Sequence, residues 1–381
     1  MDNSFPLPNS SLVNILTLRY DPSLKPNLPI KTSNDFEIND DIPDTEFIEK
    51  TICENIEQNL EKFTGEKISI ALSGGVDSTL ALSLIRKVKP DIEIEAISIK
   101  FADSVDETTA ASKIAHEFNA NHSILYLENY LSELPKAISM IKLPFWDLHW
   151  YYVVKKAKTF SNILISGDGG DELFSGYTFR YEKFLSLTSE NSTPLEKVKA
   201  YLECHERDRV SDQEYIFTKK SNFSWNSIYE ILIPYFDNNL SRLDQVYLAD
   251  YNGKLLYNFN PINSRIVDNF QMKLITPIIN NKLIKLASHM PSQSKYDEIN
   301  NIGKLPLRKI LKKNGHDSLV NNKKLGFNVN TLNLWKKSGH KICKEFLDDS
   351  RVVSDGWINN AWIEKYIDKE NLDIKYINKF L

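Results

Sequence analysis

Short apolar runs alternate with helical patterns through the first half of the chain. Apolar runs predict four strands, at Ile68–Leu72, Ile92–Phe101, His122–Leu127 and Ile163–Ile165. Between and before them, apolar residues recur at helical spacing and predict helices from Asp44 or Thr45 to Phe63, and over Leu80–Val88, Asp106–Phe118, Leu131–Ile141 and Trp146–Phe160. Strands that alternate with helices predict an α/β fold, in which a parallel twisted sheet is covered by helices on both faces.

The pattern changes after residue 185. Helical patterns continue without alternating strands, around Pro194–Glu206, Asn239–Phe259, Asn281–Met290, Leu305–Asn314, Thr331–Phe346 and Asn359–Asp368. We therefore expect three parts: an N-terminal arm over 1–43 with one short strand near Leu12–Leu18, an α/β core over 44–185, and a mostly helical part over 186–381 that completes the same domain.

Composition excludes several classes of protein. The net charge is −4 and the lysine pairs are scattered, so we expect no nucleic-acid partner. The sequence contains no run of about 18 apolar residues, so we expect no membrane span. Its first residues lack a basic region followed by an apolar core, so we expect no signal peptide. The three cysteines, Cys53, Cys204 and Cys343, lie far apart, which favours a reducing cytoplasm over a disulfide, metal or sulfur-relay site.

The candidate chemistry begins at Ser73-Gly74-Gly75-Val76-Asp77-Ser78, between the first strand and a helix. Backbone N–H groups of such a turn and the positive end of the helix dipole converge on one place, which favours a phosphate. Capping of the helix is the simpler interpretation of the serines and glycines. Asp77 would repel an anion unless a cation lay between them, so we interpret it as a Mg²⁺ ligand.

A second candidate stretch, Ser166-Gly167-Asp168-Gly169-Gly170-Asp171-Glu172, follows the fourth strand. Because the carboxyl ends of parallel strands meet at one edge, it should approach the first loop. Asp171 is then a candidate to share Mg²⁺ with Asp77, and Asp168 to act as a base or to polarise a nucleophile. An acidic turn that complements a helix dipole is the alternative, whereas the spacing of a calcium-binding EF-hand is absent.

These two stretches resemble known signatures. The first is similar to the pyrophosphate loop of the ATP pyrophosphatase superfamily, and the second, continued to Leu173-Phe174-Ser175-Gly176-Tyr177, resembles that of the asparagine synthetase synthase domain and of the β-lactam synthetases. Two further elements resemble the same family: Gly303-Lys304-Leu305-Pro306-Leu307-Arg308, and Asn321 to Phe327 with Lys324 at its centre. The resemblance covers roughly residues 45–340.

The resemblance implies an ATP-dependent ligase with ATP and Mg²⁺ as its requirements. In this family a carboxylate attacks the α-phosphate of ATP, pyrophosphate leaves, and ammonia or an amine converts the acyl-adenylate into an amide and AMP. Residues expected to bind ATP or pyrophosphate are Leu72, Ser73, Gly74, Gly75, Asp77, Ser78, Ser98, Gly167 and Lys304, of which Leu72, Ser98 and Gly167 frame the adenosine. Asp168 and Lys324 are the expected catalytic residues, and Asp77 and Asp171 the expected metal ligands.

Two departures from the family leave the substrates open. The N-terminal cysteine of a glutaminase domain is not found, which predicts ammonia from solution, a separate glutaminase subunit, or another amine as the nitrogen source. The family's Glu-x-Arg-x-Pro-Phe-Leu-Asp stretch corresponds to Lys273 to Asn280 here, where its Glu, Arg and Asp are all replaced. The family's preceding Asp-Arg-x-x-Met element aligns with Ser264 to Asp268. The small-molecule carboxylate is therefore aspartate, a similar acid, or a different acid as in the β-lactam synthetases; a non-catalytic nucleotide-binding subunit is a third hypothesis.

Overall fold

The centre of the fold is a sheet of five parallel strands. The structure, a computed structural model, describes residues 9–38, 44–61, 63, 67–101, 106–205, 208–320, 329–369 and 371–381. Its strands are β1 (Lys67–Ala71), β2 (Glu93–Phe101), β3 (Asn121–Leu127), β4 (Ile163–Ile165) and β5 (Lys273–Ile275), in the spatial order β3-β2-β1-β4-β5. The α/β prediction and its four strands are confirmed.

The fifth strand corrects the prediction that no strand follows residue 185. β5 pairs in parallel with β4, so that Ile163 lies opposite Lys273 and Ile165 opposite Ile275. Three residues are too few to establish a period of two, and the pairing with β4 decides the conformation of this segment.

The strand order creates a switch point beside β1. The chain moves from β1 through β2 to β3 in one direction, and then returns to place β4 and β5 on the other side of β1. The strand order thus reverses between β1 and β4, and ligands of open α/β sheets bind at the carboxyl ends of the strands beside such a point.

The N-terminal arm is helical where a strand was predicted. Residues Asn9–Leu18 form helix α1, and Val13 and Leu18 are buried in the main hydrophobic core. After the helix, Asp21 accepts hydrogen bonds from the side chains of Ser11 and Asn14, which secures the turn that follows. The prediction was wrong because this apolar run gains its burial from packing against distant segments, and that packing overrides local propensity.

Helices cover both faces of the sheet, as predicted. Those of the first half are α2 (Thr45–Leu60), α3 (Val76–Val88), α4 (Thr108–Glu117), α5 (Leu134–Ile141), α6 (His149–Ala157) and α7 (Gly170–Leu173). The side chain of Asp44 accepts a hydrogen bond from the backbone N–H of Phe47 at 2.9 Å, so the predicted start of α2 is confirmed. Buried side chains alternate between the two faces: Ile70 joins a core with α2 and α3, and Leu164 joins a core with α5 and α6.

The second half is mostly helical, with β5 as its exception. Its helices are α8 (Thr178–Leu187), α9 (Pro194–Cys204), α10 (Trp225–Phe236), α11 (Arg242–Asp250), α12 (Asn260–Asn269), α13 (Asn281–His289), α14 (Ser292–Lys295), α15 (Leu305–Lys313), α16 (Thr331–Leu334), α17 (His340–Asp348), α18 (Arg351–Ser354), α19 (Asn360–Tyr366) and α20 (Ile374–Phe380). A π-helical segment, Tyr251–Phe259, joins α11 to α12; α12 packs against β5, whereas α15 packs against α2 and α3. The boundaries at residues 43 and 185 remain predictions.

In the described ranges, no helix is both long enough and apolar enough to cross a bilayer.

Candidate active site

The carboxyl ends of the strands open into a cavity of about 490 Å³. Every predicted site residue that the structure describes lines this cavity: Leu72, Ser73, Gly74, Gly75, Asp77, Ser78, Ser98, Gly167, Asp168, Asp171 and Lys304. Lys324 lies outside the described residues, so its position and role stay predictions. A volume of this size is typical of small-molecule sites.

The loop after β1 leads directly into the N-terminus of α3. Gly75 is the N-cap, and no side chain caps the helix there. The hydroxyls of Ser73 and Ser78 lie 3.0 Å apart, and the backbone N–H of Gly75 donates to Ser73 Oγ at 3.2 Å. These bonds hold the turn but do not cap the helix, and the first turn of α3 faces the cavity with the donors and the dipole that favour an anion.

Two carboxylates and one ammonium group meet beside this loop. Lys304 Nζ lies 2.8 Å from Asp171 Oδ1 and also contacts Asp77 Oδ2, although 227 positions separate Asp77 from Lys304. Burial lowers the pKa of Lys304, but Asp171 and Asp77 more than compensate and raise it above the ordinary value. Lys304, which the sequence predicted to bind ATP or pyrophosphate, therefore stays charged, and it lies between the two carboxylates that were expected to hold a metal ion.

The backbone around Lys304 explains its position. Lys304 precedes α15 in the left-handed region, with a φ of 60°, and its N–H donates to the carbonyl of Phe174 at 2.8 Å. This bond ties the start of α15 to the segment that follows Asp171. A left-handed lysine is uncommon, and backbone strain of this kind concentrates at functional sites.

The pair Asp77 and Asp171 also fits a Mg²⁺ ion. Their carboxylates converge on one ammonium group, and Mg²⁺ is commonly held by one or two carboxylates together with substrate phosphates and water. Within the part of the chain that the structure describes, no group of three or more potential ligands forms a complete protein site. The residues thus suit an ion held jointly with a polyphosphate.

Gly167 brings the β4 loop into direct contact with the β1 loop. A Cβ atom at this position would lie 2.7 Å from the carbonyl carbon of Asp77 and 2.7 Å from the nitrogen of Ser78. Those neighbours are backbone atoms at the start of α3, so they cannot rotate away as a side chain would. The close approach carries the acids of the second stretch to the phosphate loop.

Asp168 directly follows Gly167 and contacts a residue that sequence reasoning missed. Its Oδ2 accepts a hydrogen bond from Asn263 Nδ2 at 2.8 Å. Burial raises the pKa of Asp168, the hydrogen bonds from Ser166 and Asn263 oppose that rise, and the charges of Asp77 and Asp171 add to it. Asn263 belongs to α12, which the pattern analysis did not predict, and no local motif marks it.

Ser98, expected beside the adenosine, belongs to a chain of hydrogen bonds. Its Oγ donates to the carbonyl of Leu72 at 2.7 Å, and His122 Nε2 lies 2.8 Å from the same oxygen. Because the single hydroxyl proton goes to Leu72, His122 donates through Nε2, and its Nδ1 accepts from Ser112 Oγ at 2.9 Å. Burial lowers the pKa of His122, which keeps the ring neutral. Sequence reasoning missed His122, which fixes Ser98 against Leu72.

The segment from Lys273 to Asn280, in which the family's charges are replaced, borders the same cavity. Thr276 and Ile279 line it, whereas the Lys273 ammonium donates away from it, to the carbonyl of Asn59 at 2.7 Å. The Arg265 guanidinium donates to the carbonyl of Ile141, at the end of α5. Lys273 and Arg265 therefore have their partners outside the cavity.

Comparison with known proteins agrees with this architecture. A family model described as "Asparagine synthase" matches residues 61–376. Asparagine synthetase [glutamine-hydrolyzing] 1 of Bacillus subtilis (strain 168) is 22% identical over 338 residues, which are 79% of this chain and 52% of that protein. A putative asparagine synthetase [glutamine-hydrolyzing] 2 of Methanocaldococcus jannaschii is 34% identical over 111 residues, 28% of this chain and 22% of the other.

Similarity to solved structures is weaker. The NH3-dependent NAD synthetase of Campylobacter jejuni shares 16% identity, covers 65% of this chain and 98% of its own, and gives a TM-score of 0.29, which supports no argument about chemistry. The chain spans about half the length of the Bacillus relative. The family model, by contrast, covers most of the chain, including β1, the β4 loop and Lys304. The chain therefore belongs to the asparagine synthase family.

Proposed function

We propose that the protein is an ATP-dependent ligase that forms an amide and releases AMP and pyrophosphate. The observation that carries the proposal is the meeting of Asp77, Asp171 and Lys304 beside the turn before α3, with Asp168 in the same cavity. A reaction that expels pyrophosphate requires its negative charge to be neutralised, which Lys304 and a cation held by Asp77 and Asp171 would do. Asp168 adds an acid in the same cavity.

The reaction has two steps. A carboxylate oxygen of the substrate attacks the α-phosphorus of ATP, the bond to the β-phosphate oxygen breaks, and pyrophosphate leaves. The nitrogen of ammonia or of an amine then attacks the acyl carbon, the bond to the phosphate of AMP breaks, and an amide and AMP result. The attacking nitrogen loses a proton, for which Asp168 is the candidate acceptor.

Residues of this chain have distinct roles in the proposal. The backbone of the turn at Ser73 to Ser78 binds the departing pyrophosphate, and Lys304 neutralises part of its charge. Asp77 and Asp171 would hold Mg²⁺, which would supply further neutralisation of the phosphates. Leu72, Ser98 and Gly167 frame the adenosine, and Lys324 is proposed to contact the phosphates and the intermediate.

The substrates are proposed by chemical class. The acid is a small-molecule carboxylate, either aspartate or another acid, and the replaced segment from Lys273 to Asn280 favours the second alternative. The nitrogen comes from free ammonia, from a separate glutaminase subunit, or from an amine substrate.

Product analysis tests the reaction class. The purified protein would be incubated with ATP, Mg²⁺, ammonia and a panel of carboxylates, and the nucleotides separated by chromatography. We expect AMP and pyrophosphate in equal amounts; ADP, or no nucleotide product with any acid, would contradict the proposal. Asp77→Ala and Lys324→Ala should abolish pyrophosphate release without unfolding the protein, whereas Lys309→Ala, at an exposed position on α15, should leave it unchanged.

A further inference from the structure

One wall of the cavity is apolar and is not used by the phosphate chemistry. It is formed by Trp150 of α6, Phe259 at the end of the π-helical segment, Leu274 of β5 and Ile279. Trp150 is buried, whereas Phe259 retains 39% of its side-chain exposure. Aromatic and aliphatic side chains that line a cavity provide affinity for the apolar part of a ligand.

This wall adjoins the reactive end of the cavity. Asn263, one turn after Phe259, donates to Asp168. On the other side, Ile279 lies against Gly169, where even a Cβ atom would collide with it. A carboxylate placed to attack an α-phosphate beside Asp168 would therefore extend its own body along Phe259 and Ile279.

The cationic side chains among the described lining residues lie at the phosphate end of the cavity. Among the described lining residues only Lys304 and Arg308 are permanently cationic; Lys304 contacts Asp77 and Asp171, and Arg308 Nε donates to the carbonyl of Gly303 at 3.1 Å. The remaining polar groups along the apolar wall are neutral, namely Asn260, Asn263 and Thr276, together with His149, whose pKa burial lowers.

We propose that the cavity selects a monocarboxylic acid with a largely apolar body and discriminates against acids that carry a second carboxylate, such as aspartate. This inference rests on the proposed function. A second carboxylate would lose its hydration against Phe259 and Ile279, would lie near Asp168, and would meet no cation there among the lining residues that the structure describes. The amides of Asn260 and Asn263 suit a neutral polar group on the acid.

Stable analogues of the acyl-adenylate test this proposal without requiring turnover. The probes are two acyl-sulfamoyl adenosines, one with a phenylacetyl group and one with a β-aspartyl group that retains its free α-carboxylate. Their dissociation constants would be measured by calorimetry with the full chain, together with that of ATP and Mg²⁺. We expect the phenylacetyl probe to bind at least ten-fold more tightly than the aspartyl probe.

The outcomes separate this inference from the function on which it rests. Equal or tighter binding of the aspartyl probe overturns the inference and leaves the ligase proposal standing. Binding of ATP with no binding of either probe also overturns the inference, because the wall then accepts neither acyl group. Failure of ATP and of both probes to bind overturns the proposed function itself, and the inference with it.

A charge introduced at Phe259 provides a second test. Phe259→Arg would place a cation on the apolar wall at a partly exposed position, so it should tighten the aspartyl probe at least ten-fold and weaken the phenylacetyl probe. The matched variant Phe259→Leu keeps an apolar side chain and should keep the preference of the wild type. An unchanged preference in Phe259→Arg would contradict the assignment of this wall to the acid.

Discussion

Lys304 Nζ and Asp171 Oδ1 lie 2.8 Å apart, and the same ammonium group also contacts Asp77. The lysine precedes α15, Asp171 follows β4, and Asp77 follows β1. The ion pair therefore links three loops that are distant in the sequence. Its single positive charge also reduces the repulsion of the two acids for each other and for the phosphates of a nucleotide.

Removal of this ammonium group should destabilise the protein. Lys304→Met leaves two carboxylates without their shared cation, and we expect the free energy of unfolding to fall by about 2 kcal/mol or more, since breaking a buried ion pair is costly. Urea denaturation in the presence of a chelator measures the change. Lys309→Met, on an exposed position of the same helix, is the control and should alter stability by less than about 0.5 kcal/mol.

Magnesium should partly replace the missing lysine. In Lys304→Met the two carboxylates retain their convergence without a competing ammonium, so millimolar Mg²⁺ should raise the denaturation midpoint of the variant more than that of the wild type. An equal response of the two proteins would argue against Asp77 and Asp171 as a shared cation site.

Gly167 should tolerate no side chain. Gly167→Ala would force the β4 loop away from the Asp77–Ser78 backbone, and we expect a loss of about 1–3 kcal/mol in stability together with weaker nucleotide binding. Gly75→Ala is the matched control for stability alone, because its Cβ would meet only the Ser73 hydroxyl, at 3.1 Å, while Gly75 itself belongs to the expected phosphate loop. Thermal unfolding of both variants and ATP titration of Gly167→Ala provide the measurements, and an unaffected Gly167→Ala would refute the close approach.

The hydrogen bond from Asn263 should set the pH at which Asp168 becomes ionised. The amide donates to the charged carboxylate and so lowers its pKa against the effect of burial. Asn263→Leu removes that donor, and the acidic limb of the profile of kcat/KM against pH should move to higher pH if Asp168 is the base. Pyrophosphate release between pH 5 and 9 is the measurement. Asn260→Leu, on the same helix, should leave the limb in place.

His205 should make the fold sensitive to mild acid. Arg180 donates to its Nε2, and its Nδ1 lies 2.9 Å from the carbonyl of Tyr201, so the ring is held neutral. Burial, followed by the charges of Lys254 and Arg180, lowers its pKa well below the ordinary value. Below about pH 6.5 the imidazole binds a proton in the unfolded chain but not in the folded chain. The free energy of unfolding should therefore fall by about 1.4 kcal/mol per pH unit.

Denaturation curves between pH 5 and 8 measure this dependence. Above about pH 7 the imidazole is neutral in both the folded and the unfolded chain, so the free energy of unfolding has its full value there. It falls as the pH drops below this range. His205→Gln should make the curve shallower, with the remaining slope due in part to His122 and His149, whose pKa burial also lowers; His116→Gln, at an exposed position, should retain the wild-type slope. A wild-type curve that is flat from pH 7 to 5 would contradict the prediction.

Sequence alone determined the local parts of the candidate site. The run into β1, the turn at Ser73 to Ser78 and the start of α3 follow from residues that are neighbours in the chain, because strand, turn and helix signals are short-range. The same holds for β4 and the loop that carries Asp168 and Asp171. Once the sheet is recognised as parallel, the convergence of these two loops follows from its geometry.

Only the tertiary structure decided how distant residues meet. Pairing with β4 makes Lys273–Ile275 a strand, packing makes Asn9–Leu18 a helix, and the turn before α15 brings Lys304 between Asp77 and Asp171. Asn263 reaches Asp168 across 95 positions by the same means. Periodicity reports which face of an element is buried, whereas such contacts depend on which elements pack together, a choice made by the whole core.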